Sequence, residues 1–151
     1  EALFGESSEL YLRLYEEGVI DTSFGGGFET IDGCAMLLCA GDSYEPEKVR
    51  EAILEQAAKI VREGVPAEDF LRMKRSALGR RIRSLDSFDA TCFRICAYHF
   101  SDFDYFRFPE IYRQIESREI GEFLGRVARR ERCCLSVMEP IVKGERTNES
   151  C

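Results

Sequence analysis

Few side chains in this sequence could carry chemistry, and none of them stands at a spacing that makes a site. His99 is the whole imidazole supply of the 151 residues, so a Ser/His/Asp or Cys/His arrangement would rest on it alone. It lies in an aromatic-rich stretch, AYHFSDF, and reads as a packed, hydrogen-bonded histidine rather than a catalytic base. A zinc centre needs His, Cys or acid ligands at fixed spacing, and no such run is present. The seven cysteines do not supply one. Cys34 and Cys39 are five apart in an apolar run, Cys92 and Cys96 stand at i, i+4 on an expected helix, and Cys133 and Cys134 are neighbours pointing to opposite faces of a strand. They are expected to be reduced, mostly buried thiols of a cytoplasmic protein. Gly25-Gly26-Gly27 lacks the following Lys-Ser/Thr and the helix of a phosphate loop, and is expected at a flexible hairpin tip. The acid pairs Glu16/Glu17 and Asp102/Asp104 are surface neighbours with nothing to drive their pKa values apart. No catalytic residue and no metal ligand set is assigned.

Charge and composition exclude further classes. A net charge of -7 and a pI near 4.9 argue against nucleic acid or anionic lipid as the main partner. Residues 1–70 carry -11 and residues 71–151 carry +4. Much of the contrast comes from Arg72, Lys74, Arg75, Arg80, Arg81 and Arg83, which read as the solvated face of a helix. The longest apolar run, CAMLLCA from Cys34 to Ala40, has the length of a strand and not of a membrane span. The amino end, EALFGESSEL, has no basic start and no apolar stretch, so no signal peptide is expected. It also lacks an initiator Met, and the chain is read as a piece of a longer protein.

The pattern that would position any site begins with a helix. Ser7–Ser8 supply the cap, Leu10/Leu14 and Tyr11/Tyr15 one apolar stripe, and Gly18 the stop. Two antiparallel strands are expected near 19–28 and 31–41, the second fully buried. A helix starts at Pro46, carries Val49, Ile53, Ala57, Ile60 and Val61, and stops at Gly64. Another runs from Ala67 or Glu68 to about Leu85, and Asp86-Ser87 cap a fourth from Phe88 to about Tyr98 or Phe100. Glu110–Ile115 reads as a short helix, and Ser117 starts one bearing Ile120, Phe123, Leu124 and Val127. Counted from Ser117, Glu119 falls one short of a capping box. Arg132–Met138 is expected as a last strand. The order implies an α+β fold, a small mainly antiparallel sheet with helices packed on one face. One domain is expected over 1–142, with a disordered tail over 143–151.

Three segments carry a resemblance. They are LFGESSELYLRLYEEGVIDTSFGGGFET, the strand and helix ending AGDSYEPEKVREAILEQAAKI, and EGVPAEDFLRMKRSALG, similar to an E-x-x-x-x-K-x-x-x-x-G pattern. In order and spacing the chain, from Leu3 to Pro140, resembles a domain of the pitrilysin/insulinase-type zinc peptidases. It is most similar to bacterial relatives of the mitochondrial processing peptidase. The resemblance implies two α+β halves enclosing a chamber where unfolded peptides add a strand to a sheet edge. It implies zinc on an inverted H-x-x-E-H helix of an upstream domain, where an upstream Glu acts as general base. This chain lacks that motif and resembles the C-terminal half, which closes the chamber and contributes to substrate binding. No cofactor is expected in the chain itself.

In that half, many members grip the substrate backbone with an Arg and a Tyr seven residues apart. Aligned on Glu17-Gly18, Leu14 stands in the place of the Arg and Asp21 in that of the Tyr, while Arg13 is one residue off. Arg13, Leu14, Gly18 and Asp21 are therefore the candidate substrate-binding residues. The replacement implies a partnership with a second, peptidase-like subunit that carries the grip, besides the upstream zinc-bearing domain and a peptide substrate. Two alternatives stay open: a non-catalytic peptide- or protein-binding module, and a purely structural half-domain. Phe100, Phe103, Tyr105, Phe106 and Phe108 need a surface to cover or a core of their own.

Overall fold

A computed structural model describes residues 1–31, 34–100 and 102–140. Its helices are α1 (Glu9–Glu16), α2 (Pro46–Glu63), α3 (Ala67–Arg83), α4 (Phe88–His99), α5 (Phe108–Gln114) and α6 (Ser117–Val127). Its strands, β1 (Gly25–Ile31) and β2 (Cys34–Ala40), pair antiparallel from Gly25 opposite Ala40 to Ile31 opposite Cys34. The α+β class is as the element order implied. None of the described helices is long and apolar enough to cross a membrane.

Most helix ends follow from local chemistry. Ser8 accepts a hydrogen bond from the Tyr11 N–H and caps α1, Ser87 does the same for α4 from Ala90, and Pro46 occupies the first turn of α2. At α6 the cap lies one residue earlier than Ser117. Glu116 and Glu119 form a reciprocal capping box, in which the Glu119 carboxylate accepts the Glu116 N–H at 2.6 Å. The spacing that fell one short from Ser117 is therefore complete from Glu116.

Burial is concentrated in α1, α2 and the segment between α1 and β1. Leu10, Tyr11 and Leu14 pack with Val19, Ile20, Phe24, Val49 and Ala52 in one cluster, and Leu3, Ala57, Ile60 and Leu124 form a second. Phe4 packs against both clusters. The end of α5 is tied to α3 by Lys74, whose ammonium donates to the carbonyls of Arg113 and Ile115, each at 2.8 Å. These are C-terminal carbonyls with no helical partner, where a cation is favoured. The aromatic segment splits. Tyr105 and Phe108 are buried and in ring contact at 5.5 Å, whereas Phe100 and Phe106 are exposed. Arg72 on Asp69 and Arg80 on Glu1 follow the solvated-face reading, whereas Arg81 is half-buried with its guanidinium 5.9 Å over the Tyr105 ring.

Five expectations are corrected. The first strand begins at Gly25 and not near 19, because Val19, Ile20 and Phe24 turn into the core as irregular chain. The three glycines consequently lie inside β1 opposite Ala40, Cys39 and Leu38, not at the hairpin tip. A side chain on Gly26 would stand 2.6 Å from the Phe4 ring, so the missing Cβ makes room for Phe4. Strand β2 is exposed along its length except for half-buried Leu37, because among the described residues only β1 pairs with it. Residues 132–138 form no strand: a 3-10 turn at Arg130–Arg132 leads into chain outside any ladder. The cysteines follow those segments. Cys34, Cys39, Cys96, Cys133 and Cys134 are exposed, and Cys92 is half-buried. The boundary at 142 and the tail at 143–151 lie outside the described residues.

Two glycines give opposite tests of this packing. A Cβ on Gly41 would lie 2.5 Å from the Phe24 Cα, so Gly41→Ala should cost about 1–3 kcal/mol of stability. On Gly125 it would meet only the Val61 methyls at 3.7 Å, so Gly125→Ala should stabilise α6 by up to about 1 kcal/mol. Urea unfolding of the two variants measures both; the same sign for both would refute the packing described.

Candidate functional site

The four candidates lie on the turn that closes α1, and that turn is built by one backbone device. Gly18 has φ +68°, a left-handed conformation natural to glycine. Its N–H donates to the Tyr15 carbonyl at 3.0 Å, and the Val19 N–H reaches back to the Leu14 carbonyl at 2.9 Å. This is the double closure of a Schellman motif, completed by an apolar contact between the two outer residues. Leu14 and Val19 fill that role, at 1% and 2% exposure.

Each candidate thereby acquires a definite environment. Leu14 is inside the core and presents nothing to solvent. Arg13 lies on the opposite, half-exposed side, 3.8 Å from Glu55 of α2. It is the middle member of three pairs joining α1 to an antiparallel α2, between Glu9–Lys59 at 2.7 Å and Glu17–Lys48 at 3.0 Å. Asp21 is exposed and accepts the backbone N–H of Ser23 at 2.8 Å and its hydroxyl at 2.5 Å. Those bonds hold its carboxyl below the usual aspartate range. The Ser23 hydroxyl oxygen in turn accepts the Asp42 N–H at 3.0 Å, which ties the turn to the chain leaving β2. The structure thus joins Leu14 and Gly18 in one turn, while Arg13 engages α2 and Asp21 bonds within its own loop to Ser23.

The hairpin that this turn feeds presents an open apolar and backbone surface. Phe28 is 51% exposed, Leu38 48% and Met36 37%, although CAMLLCA has the unbroken apolar pattern of a strand covered on both faces. Among the described residues the outer edge of β2 pairs with no strand, and such an edge is a template for another chain. His99 is not packed inside. It is exposed at the end of α4, beside a hollow of about 380 Å³ shared with Asp102 and Tyr105. Among the described residues no group of three or more His, Cys, Asp or Glu side chains is placed to hold a metal ion, so the described residues do not fit a zinc centre. A second feature escaped the motif reading, an open groove of about 900 Å³ between the end of α2 and α6. Its signal in the sequence is the i, i+4 row Ser117, Gly121, Gly125, beside Arg118 and Arg126.

No protein-family model matches the chain. It is 30% identical over 122 residues to the uncharacterized zinc protease YmfH of Bacillus subtilis strain 168, covering 80% of this chain and 28% of that protein. A crystal structure from Alicyclobacillus acidocaldarius, of a protein described as an M16-like peptidase, shares the fold with a TM-score of 0.73 at 22% identity. That match covers 82% of this chain and 30% of the other. The chain therefore spans less than a third of the length of each.

One measurement tests the turn and another the pairing of α1 with α2. Gly18→Ala forces an L side chain into the left-handed region and should cost about 1 kcal/mol, with Gly18→Asn intermediate; equal stability of all three would contradict the closure described. Glu9 is held below the ordinary glutamate value chiefly by its hydrogen bond from Lys59. A carboxyl depressed on folding contributes stability above its unfolded pKa and loses it as pH falls through the lower folded value. Lys59→Met should therefore be less stable than the parent at neutral pH, and the gap should close on acidification below about pH 4. A gap independent of pH would exclude the Glu9 link.

Proposed function

Because the chain is a domain of the pitrilysin-like (M16) metallopeptidase type, we propose that it serves as a supporting, non-zinc-binding part of a zinc-dependent endopeptidase. In this reading it corresponds to the C-terminal half, closes the chamber and presents β2 to the peptide. The observation that carries it is the mismatch at β2, an unbroken apolar strand exposed at every residue but Leu37, with one edge unpaired among the described residues. A single histidine among 151 residues supports placing the metal elsewhere. A peptide laid along β2 would satisfy the outer row of backbone groups, while Met36 and Leu38 offer apolar contact to its side chains.

Leu14 and Asp21, in the places of the gripping Arg and Tyr, favour a partner subunit that holds the substrate backbone. Leu14 is committed to the core and Asp21 to Ser23, so neither is free to grip a peptide. Gly18 would act only by setting the path from α1 into the hairpin, and Arg13 by fixing α1 on α2.

The purified chain, incubated with equimolar zinc and passed through mild chelation, is expected to retain well under one zinc per molecule. It should not cleave a fluorogenic peptide, with or without added zinc. Retention of about one zinc per molecule with chelator-sensitive cleavage would overturn the assignment.

A further inference from the structure

We infer that Cys39 and Cys133 are a redox pair, two thiols that a small-molecule disulfide such as oxidised glutathione converts into one intramolecular bond. That bond staples the chain after α6 to the end of β2, and it is independent of the peptidase reading.

The fold brings the two residues together although α2 to α6 lie between them in sequence. Side chains alternate along a strand, so Cys39 shares a face of β2 with Leu37. Leu37 packs on the second core cluster, and the cross-strand partners point the same way. Phe28, opposite Leu37, meets the Phe123 ring of α6 at 5.7 Å, and Gly26, opposite Cys39, gives up its side-chain place to the Phe4 ring. This face of the hairpin is therefore turned to α6.

Ala128, just past the end of α6, packs on the same cluster, and the chain leaving it is held in place. Arg129 donates to the Gly125 carbonyl at 2.7 Å, Arg132 to the Arg126 carbonyl at 3.0 Å, and Arg130 to Glu51 of α2 at 3.0 Å. The Cys133 N–H closes the turn on the Arg130 carbonyl at 3.2 Å. That path brings the Cys133 sulfur near enough to Cys39 for its charge to act there. Cys39 is exposed as a whole residue, yet its thiol is sheltered: burial pushes it up, and Cys133 adds to the push. Cys34 and Cys134 are placed differently. Cys34 is an odd number of positions from Cys39, on the other face of β2, and Cys134 follows an extended residue and points away from Cys133.

The chemistry balances with two thiols and one disulfide. Cys133 is exposed and begins a run outside any ladder, so it reacts first. It gives its proton to solvent, its thiolate attacks one sulfur of oxidised glutathione, and one glutathione thiolate leaves. Cys39 then loses its proton to solvent and attacks the Cys133 sulfur, expelling the second glutathione. The two protein thiols give up two electrons, and the glutathione disulfide takes them.

The test exposes the whole chain to graded ratios of oxidised to reduced glutathione, alkylates the remaining thiols, and maps the links by mass without reduction. One intramolecular link between Cys39 and Cys133 is expected, with no glutathione left on either. Because the closed loop is long, the oxidised chain should melt about 5 °C or more above the reduced one, and dithiothreitol should reverse the shift. Cys39→Ala and Cys133→Ala should each lower the linked fraction about tenfold or more, whereas Cys34→Ala and Cys134→Ala should change it less than about twofold. Cys39→Ala should also accumulate the mixed disulfide at Cys133, a readout that needs a folded chain, and circular dichroism checks that each reduced variant keeps its helices. A link to Cys34 or Cys134, linked dimers in place of a closed chain, a mixed disulfide that never closes in the parent, or an oxidised chain that melts no higher would each overturn the proposal.

Discussion

The fold depends on how α1 ends. A left-handed residue at Gly18 turns the chain back, so that Leu14 and Val19 seal the helix terminus from both sides. The same turn delivers Ile20 and Phe24 to the α2 face that carries Val49 and Ala52. If it were opened, the stripe of α1 would lose its partner and the hairpin its starting point. The exposed ion pairs along α1 and α2 add little to this stability; they set which face of α1 meets α2. The apolar contacts hold the two helices together, and the charges fix their register.

From that anchored side the hairpin extends into a different regime. β1 is glycine-rich where Phe4 crosses it, while β2 packs Leu37 on the second core cluster and leaves Met36 and Leu38 exposed. Leaving such a strand bare is costly in water and invites pairing. In a chain that spans less than a third of the proteins it matches, this exposure is the physical basis of the supporting role proposed. On that proposal the chain supplies sheet edge and apolar surface.

Much of the helical layer was legible because its signals are local. Ser8, Pro46, Gly64 and Ser87 each act within one turn, and α2, α3 and α4 lie where their caps and stripes place them. The cap of α6 was misplaced by one residue because glutamate at an N-cap is a weaker signal than the serine beside it. The strands were harder. An unbroken apolar run tells that a strand is meant to be covered, but not whether the cover belongs to the same segment of chain, so CAMLLCA reads as buried while it stands exposed. The glycine triplet reads as a turn by composition, and only the approach of Phe4 shows why it is strand. Of the candidate site, the turn at Gly18 was visible in the sequence, but the opposite fates of Leu14 and Arg13 follow from helix phase against α2. The arginine groove was missed because its residues, Arg62 and Arg118 to Arg129, are distant in sequence and join only when α6 docks.

The central claim is that β2 is an open edge built to take another strand. Hydrogen exchange at the amides of residues 34–40, in the chain alone and with a cleavage-resistant extended peptide, tests it most directly. Alternate amides should exchange quickly in the free chain, where β1 protects only one edge, and become protected when the peptide is added. Full protection of β2 in the free chain, or free amides that the peptide leaves unchanged, would contradict the account.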